Sequence, residues 1–169
     1  LYDKGRTYEI TEDIYHNILA FKKFYLENRP VIKAIELSLY SRDIPFAGTC
    51  DYIAVMKDKN GDPKLCLIDI KTGKEYPKNH SLQLTSYKIL FDALYGEEFG
   101  TIDELYCLYL KDSGNYKLKK YKFNEQEWLS TVHVFHYMNS NAYGKMPKIK
   151  EKFLMDEIIT LKENNEDGK

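Results

Sequence analysis

A chain of 169 residues, 43% hydrophobic and 30% charged, has the size and composition of one globular domain with its own core. Its apolar runs fall well short of the ~20 residues a membrane helix needs, so no membrane partner is expected. A net charge of -1 excludes the global field of a strongly basic nucleic-acid binder, so any such binding would need a local basic groove.

The first residues from Leu1 carry no basic, apolar, small-residue leader pattern, so a secretory leader is not expected. Thr11 can cap a helix, with Glu12 and Asp13 in its first turn, where negative charge favours the helix dipole. Ile14, Ile18, Leu19, Phe21, Tyr25 and Leu26 recur at helical spacing, and Pro30 marks the exit. Alternation predicts a strand over Val31–Ser41, with Glu36 on the face opposite Ile35, Leu37 and Leu39. A second strand over Phe46–Lys57 carries Asp51. The turn Asp58–Pro63, with Asn60-Gly61 at its centre, makes the second and third strands a hairpin.

Leu65–Ile68 is the continuous apolar run of a strand covered on both faces. It ends in Asp69 and Lys71, which alternation places on one face. A polar loop with Lys74, Lys78 and His80 follows. A helix is then expected over Ser81–Tyr95, with Gln83 and Tyr87 four apart and so on one side of it. Strands are expected over Glu104–Lys111 and Tyr116–Phe123, the second one rich in lysines that suit an edge guarded against pairing. Asn124 can cap a last helix carrying Trp128, His133 and His136. The chain is thus read as one domain over residues 1–161 with a polar, disordered tail over 162–169.

The cysteines Cys50, Cys66 and Cys107 form no C-x-x-C pair, so neither a zinc knuckle nor an iron–sulfur ligand set is written locally. Buried reduced thiols and a cytoplasmic location are the expectation. A lone histidine such as His16, or the pair His133 and His136 without an acidic neighbour, is read as structural.

An aspartate within a β-prone run is costly if buried without a partner, and a cation would relieve that cost. Asp51 and Asp69 on neighbouring strands offer hard oxygen ligands of the kind that suit Mg²⁺ or Mn²⁺. The Ile70 carbonyl and Glu36 are further candidate ligands. Lys71 would orient a water or stabilise a phosphoryl transition state as a point charge. Gln83 and Tyr87 would hydrogen-bond phosphate or base.

Gly48, Asp51, the run Asp69-Ile70-Lys71-Thr72-Gly73, and Gln83 with Tyr87 resemble the signature of PD-(D/E)xK nucleases in their RecB-like branch. The resemblance covers roughly residues 36–90. It implies an α+β (α/β) restriction-endonuclease-like core, with a mixed central β-sheet flanked by helices. It also implies a Mg²⁺- or Mn²⁺-dependent deoxyribonuclease, exonuclease-like, used in recombination, repair or phage DNA processing. Asp51, Asp69 and Glu36 match its metal-binding and catalytic carboxylates, and Lys71 its catalytic lysine. Gln83, Tyr87, Thr72 and Lys74 fall at substrate-binding positions. The implied partners are double-stranded DNA ends or single-stranded DNA, a second copy of the chain or a recombination protein, in a bacterial or phage-encoded cytoplasmic setting. The family's upstream G-T-x-x-H helix has no match, since His16 lacks the preceding Gly-Thr. That helix is expected before Leu1. The cysteine pattern of iron–sulfur relatives is likewise missing, so no such cluster is expected. Two other readings fit the composition. One is a non-catalytic DNA-binding or assembly subunit on a nuclease-like fold. The other is a small-molecule or carbohydrate binder whose 15 tyrosines line a pocket.

Overall fold

The computed structural model describes residues 10–41 and 46–143. The expected tail over 162–169 and the basic stretch at Lys145–Lys152 lie outside the described residues. The chain divides into two compact units, Leu1–Ser130 and Thr131–Lys169.

The first unit is α+β. Its elements are α1 (Glu12–Asn28), β1 (Val31–Ser41), β2 (Phe46–Lys57), β3 (Pro63–Lys71), α2 (Pro77–Phe99), β4 (Glu104–Leu110), β5 (Tyr116–Tyr121) and the first turns of α3 (Glu125–Tyr143). The five strands form one mixed sheet in the order β1-β2-β3-β4-β5. Only the β3–β4 pair is parallel, and α2 supplies the long crossover that a parallel pair requires.

Strand alternation sorts the side chains of β3 and β4 into two cores. Leu65, Leu67, Leu105, Cys107 and Tyr109 meet Leu84, Tyr87, Leu90 and Phe91 of α2. Cys66, Ile68, Leu108 and Leu110 meet Ala20 and Phe24 of α1. Both faces of the central strands are therefore dry, which is why their sequences read as continuous apolar runs.

The polar segments between elements have local causes. The Asp58 carboxylate accepts the N–H groups of Asn60 (2.8 Å) and Asp62 (3.0 Å), and Gly61 sits at φ 89°, so the hairpin turn is closed by Asp58 as well as by Asn60-Gly61. Asn124 caps α3 by accepting the Glu127 N–H (3.2 Å), as its position predicts. Thr11 stands at the N-cap of α1, but its hydroxyl makes no capping bond.

Helix α2 is longer at both ends than the expected Ser81–Tyr95. Pro77 at its first position needs no N–H donor and has its φ preset, so the helix starts before the polar loop ends. It stops at Gly100, whose φ is 84°. The earlier start moves His80 from the loop into the first turn of a buried helix face.

Strand β1 departs from simple alternation. Glu36 has φ 50°, in the left-handed region, so the strand changes face there. As a result Ala34 and Leu37, three apart, both pack on the α2 side, while Ile35 is exposed. The expected placement of Glu36 opposite Ile35, Leu37 and Leu39 as one aliphatic set is corrected by this shift. In the second unit, residues 131–143 continue α3, with a break in helical geometry at Asn139. Val134, Phe135, Tyr137 and Met138 are exposed on it. No helix among the described residues is long and apolar enough to cross a membrane.

Candidate active site

The site is assembled by register. Ile35 pairs with Tyr52 and Leu37 with Cys50, which leaves Glu36 facing Asp51 at the point where both strands change face. Tyr52 pairs with Ile68, so Asp51 follows beside Asp69. Asp69 pairs with Cys107, and Cys107 with Lys119. The ladder thus lines up Glu36, Asp51, Asp69, Cys107 and Lys119 across all five strands. The next row of the α2 face holds Lys71, Tyr109 and Lys117.

Asp69 is buried, 2% exposed, at the end of the central strand. Its Oδ2 lies 2.6 Å from the Lys71 ammonium, yet no hydrogen bond of good angle reaches that oxygen. Lys71 also donates to Gln83 Oε1 (2.9 Å), and Gln83 Nε2 donates to the Tyr87 hydroxyl (3.0 Å). One side-chain chain therefore runs Asp69–Lys71–Gln83–Tyr87 from the sheet to α2. The Tyr87 ring lies directly over Gly48, where a Cβ would come within 2.6 Å of Cε1. A glycine at 48 is what lets the ring lie so close to the strand.

Asp51 Oδ2 accepts the Ile70 N–H at 2.6 Å. Ile70 thus meets Asp51 through its amide, whereas the expectation gave its carbonyl a ligand role. Glu36 is exposed and is not gathered into a cluster with the two aspartates. Among the described residues no group of three or more His, Cys, Asp or Glu side chains is arranged to hold a metal. Thr72 and Lys74 stay exposed on the loop, outside the hydrogen-bonded chain. His16, His133 and His136 belong to no such cluster.

Electrostatics follow burial. Desolvation pushes the Asp69 carboxyl above its ordinary range, against the pull of Lys71, and the nearby Asp51 adds to the rise. Burial draws Lys71 down, but its contact with Asp69 and the surrounding negative charge win, and the ammonium is held more firmly protonated than usual. Burial lifts the Cys50, Cys66 and Cys107 thiols to about 12. All three are free and buried, as their apolar strand settings predict.

A second buried network, joining residues from three separate elements, borders the site. His80 Nδ1 lies 2.6 Å from the Tyr109 hydroxyl, which lies 2.7 Å from the Tyr121 hydroxyl. Burial, and then the positive charge of Lys71, depress the His80 pKa. Glu75 draws Lys117 (2.8 Å), Lys119 (3.4 Å) and Lys111 (3.7 Å) to one carboxylate. The signal available was the spacing of Lys117 and Lys119 on an alternating strand, which puts both on one face.

No family model matches the chain, and no curated protein matches it. Solved structures that match include one described as "Crystal structure of SSO0001", at 19% identity and a TM-score of 0.36 over 80% of this chain. The matched region spans 60% of that chain's length.

Proposed function

We propose that this chain is a divalent-metal-dependent DNA nuclease of the PD-(D/E)xK superfamily, in its RecB-like branch, with exonuclease-like action in a cytoplasmic setting. The observation that carries the reading is the connected set Asp69–Lys71–Gln83–Tyr87, seated on Gly48 and adjoining Asp51. Residues scattered from 48 to 87 converge between one face of the sheet and α2. A purely structural ion pair would not need the glutamine and tyrosine that fix the lysine.

Asp69 and Asp51 suit a Mg²⁺ or Mn²⁺ ion of the kind that takes one or two carboxylates and completes its shell with water and phosphate. The buried Asp69 Oδ2, which lies 2.6 Å from the Lys71 ammonium, is the atom that would share its charge with such an ion. Glu36, which faces Asp51 across the β1–β2 pair, and the Ile70 carbonyl remain the further candidate ligands. A bound ion would supply charge to the phosphodiester.

The chain's own residues do the positioning. Lys71 is held cationic, so it has no lone pair with which to take a proton, and its part is to stabilise charge on a phosphoryl oxygen. Gln83 fixes the direction of that ammonium, and Tyr87 fixes Gln83. Thr72 and Lys74 lie on the adjacent loop, where a strand would pass.

The test is incubation with linear duplex and single-stranded DNA plus Mn²⁺, comparing wild type with Lys71→Ala, on the longest available form of the chain. Loss of one such charge-stabilising group should slow cleavage about 10²- to 10³-fold. Equal, background-level cleavage by both proteins would refute the catalytic assignment. A non-catalytic DNA-binding or assembly subunit is the second reading, favoured by the lack of a three-ligand cluster among the described residues. It would show no Mn²⁺ binding in calorimetry that depends on Asp51 and Asp69.

A further inference from the structure

We propose that Lys111, Lys117 and Lys119 form a platform for the phosphate backbone of a single DNA strand, with Glu75 occupying it as an internal stand-in anion. The inference rests on the nuclease reading for the identity of the polyanion, and on separate observations for the platform.

One carboxylate cannot neutralise three ammonium groups. Glu75 has Lys117 at 2.8 Å, Lys119 at 3.4 Å and Lys111 at 3.7 Å, so the cluster carries a surplus of two positive charges. Like charges gathered on one acid repel each other, and a polyanion would relieve that repulsion. The lysine nitrogens are also held in place. Lys119 lies over the Tyr121 ring and Lys111 over the Tyr109 ring, each 5.2 Å from the centroid. Those two rings are locked by the Tyr109–Tyr121 hydroxyl contact at 2.7 Å and by buried His80 at 2.6 Å. Lys111 and Lys119 therefore stand on a rigid aromatic floor, which lowers the ordering cost of binding.

The placement fits a strand leaving the candidate active site. Lys71 pairs with Tyr109, and Tyr109 with Lys117, so two strand spacings, about 10 Å, separate Lys71 from Lys117. A stacked nucleic-acid strand carries one charge per about 3.4 Å of its axis, so that gap spans about three phosphates. Glu75 itself lies four residues after Lys71, on the loop between β3 and α2. A phosphate displacing it would release that loop from β5. Lys120, on the opposite face of β5, pairs with Glu104 (2.6 Å), away from this cluster.

The experiment measures binding of a fluorescein-labelled single-stranded oligonucleotide in EDTA, across a potassium chloride titration. Wild type, K117Q/K119Q, K117R/K119R and E75Q are compared, with urea midpoints checking that each is folded. Each lysine–phosphate contact on a single strand contributes about 0.7 to the slope of log K against log salt, so K117Q/K119Q should lower that slope by about 1.4. K117R/K119R should retain the slope, and E75Q should bind a few-fold more tightly. Should the double variant fail to fold, Lys117→Gln alone, at a half-exposed side chain, should show half the shift. An unchanged slope in the glutamine variants, or a wild type that does not bind the oligonucleotide, overturns the platform. Displacement of the strand by inorganic phosphate well beyond that by chloride at equal ionic strength overturns it in favour of a free-phosphate site. Cleavage is not read here, so the nuclease assignment stands or falls on the Lys71→Ala comparison alone.

Discussion

Gly48→Ala tests the arrangement at its tightest point. The new methyl would lie 2.6 Å from Tyr87 Cε1 and 3.2 Å from both Cζ and the hydroxyl oxygen. Carbon atoms prefer about 3.5–4.0 Å, so the ring must retreat by about 1 Å. Tyr87 is buried among Leu84, Leu90 and Phe91, which leaves it little room. Overpacking of this kind costs about 1–3 kcal/mol. A displaced hydroxyl also loosens the 3.0 Å bond from Gln83, at about 1 kcal/mol. Alanine in a strand recovers about 0.5–1 kcal/mol relative to glycine. The net loss is about 2 kcal/mol. With a urea m-value of about 2 kcal/mol/M, the midpoint should fall by about 1 M. The same substitution in a Tyr87→Leu background meets none of the three clashing atoms. There it should be neutral, or stabilising by about 0.5 kcal/mol. The double-mutant cycle therefore predicts a coupling of about 2 kcal/mol between positions 48 and 87. Equal midpoint shifts in the two backgrounds would refute the claim that Gly48 is dictated by the Tyr87 ring.

Asp69→Asn should abolish cleavage while raising the urea midpoint at neutral pH, because burial lifts the Asp69 pKa and its contribution to stability is lost as pH rises through that folded value. A lowered midpoint would show that the Lys71 contact outweighs the cost of burial. His80 runs the other way. Its folded pKa is depressed below the ordinary 6.5, so its contribution is present above that value and fades as pH falls through the folded pKa. Urea midpoints from pH 8 to 5 should therefore decline with a steepness that His80→Gln reduces, and parallel curves would count against the assignment. Native protein should leave a thiol reagent unreacted at pH 8, with all three cysteines reacting once urea unfolds it, since burial lifts each to about 12. Rapid labelling of the folded chain would contradict the packed strand positions.

Much of the architecture was legible in one dimension because its causes are local. The apolar run at Leu65–Ile68, the Asp58–Pro63 turn, the Asn124 cap and the helical spacing after Thr11 each specify an element from adjacent residues. The alternation that puts Asp69 and Lys71 on one face is equally local, as is the i, i+4 spacing of Gln83 and Tyr87. Tertiary structure alone decided what those residues touch. Strand register brought Asp51 beside Asp69, and the packing of α2 on the sheet brought Gln83 to Lys71. The left-handed Glu36 reversed the face of β1, a backbone choice that alternation does not encode. His80, Tyr109 and Tyr121, from three separate elements, met only once the core closed. Their partners are distant in sequence, and the burial that gives those contacts their strength exists only in the folded chain.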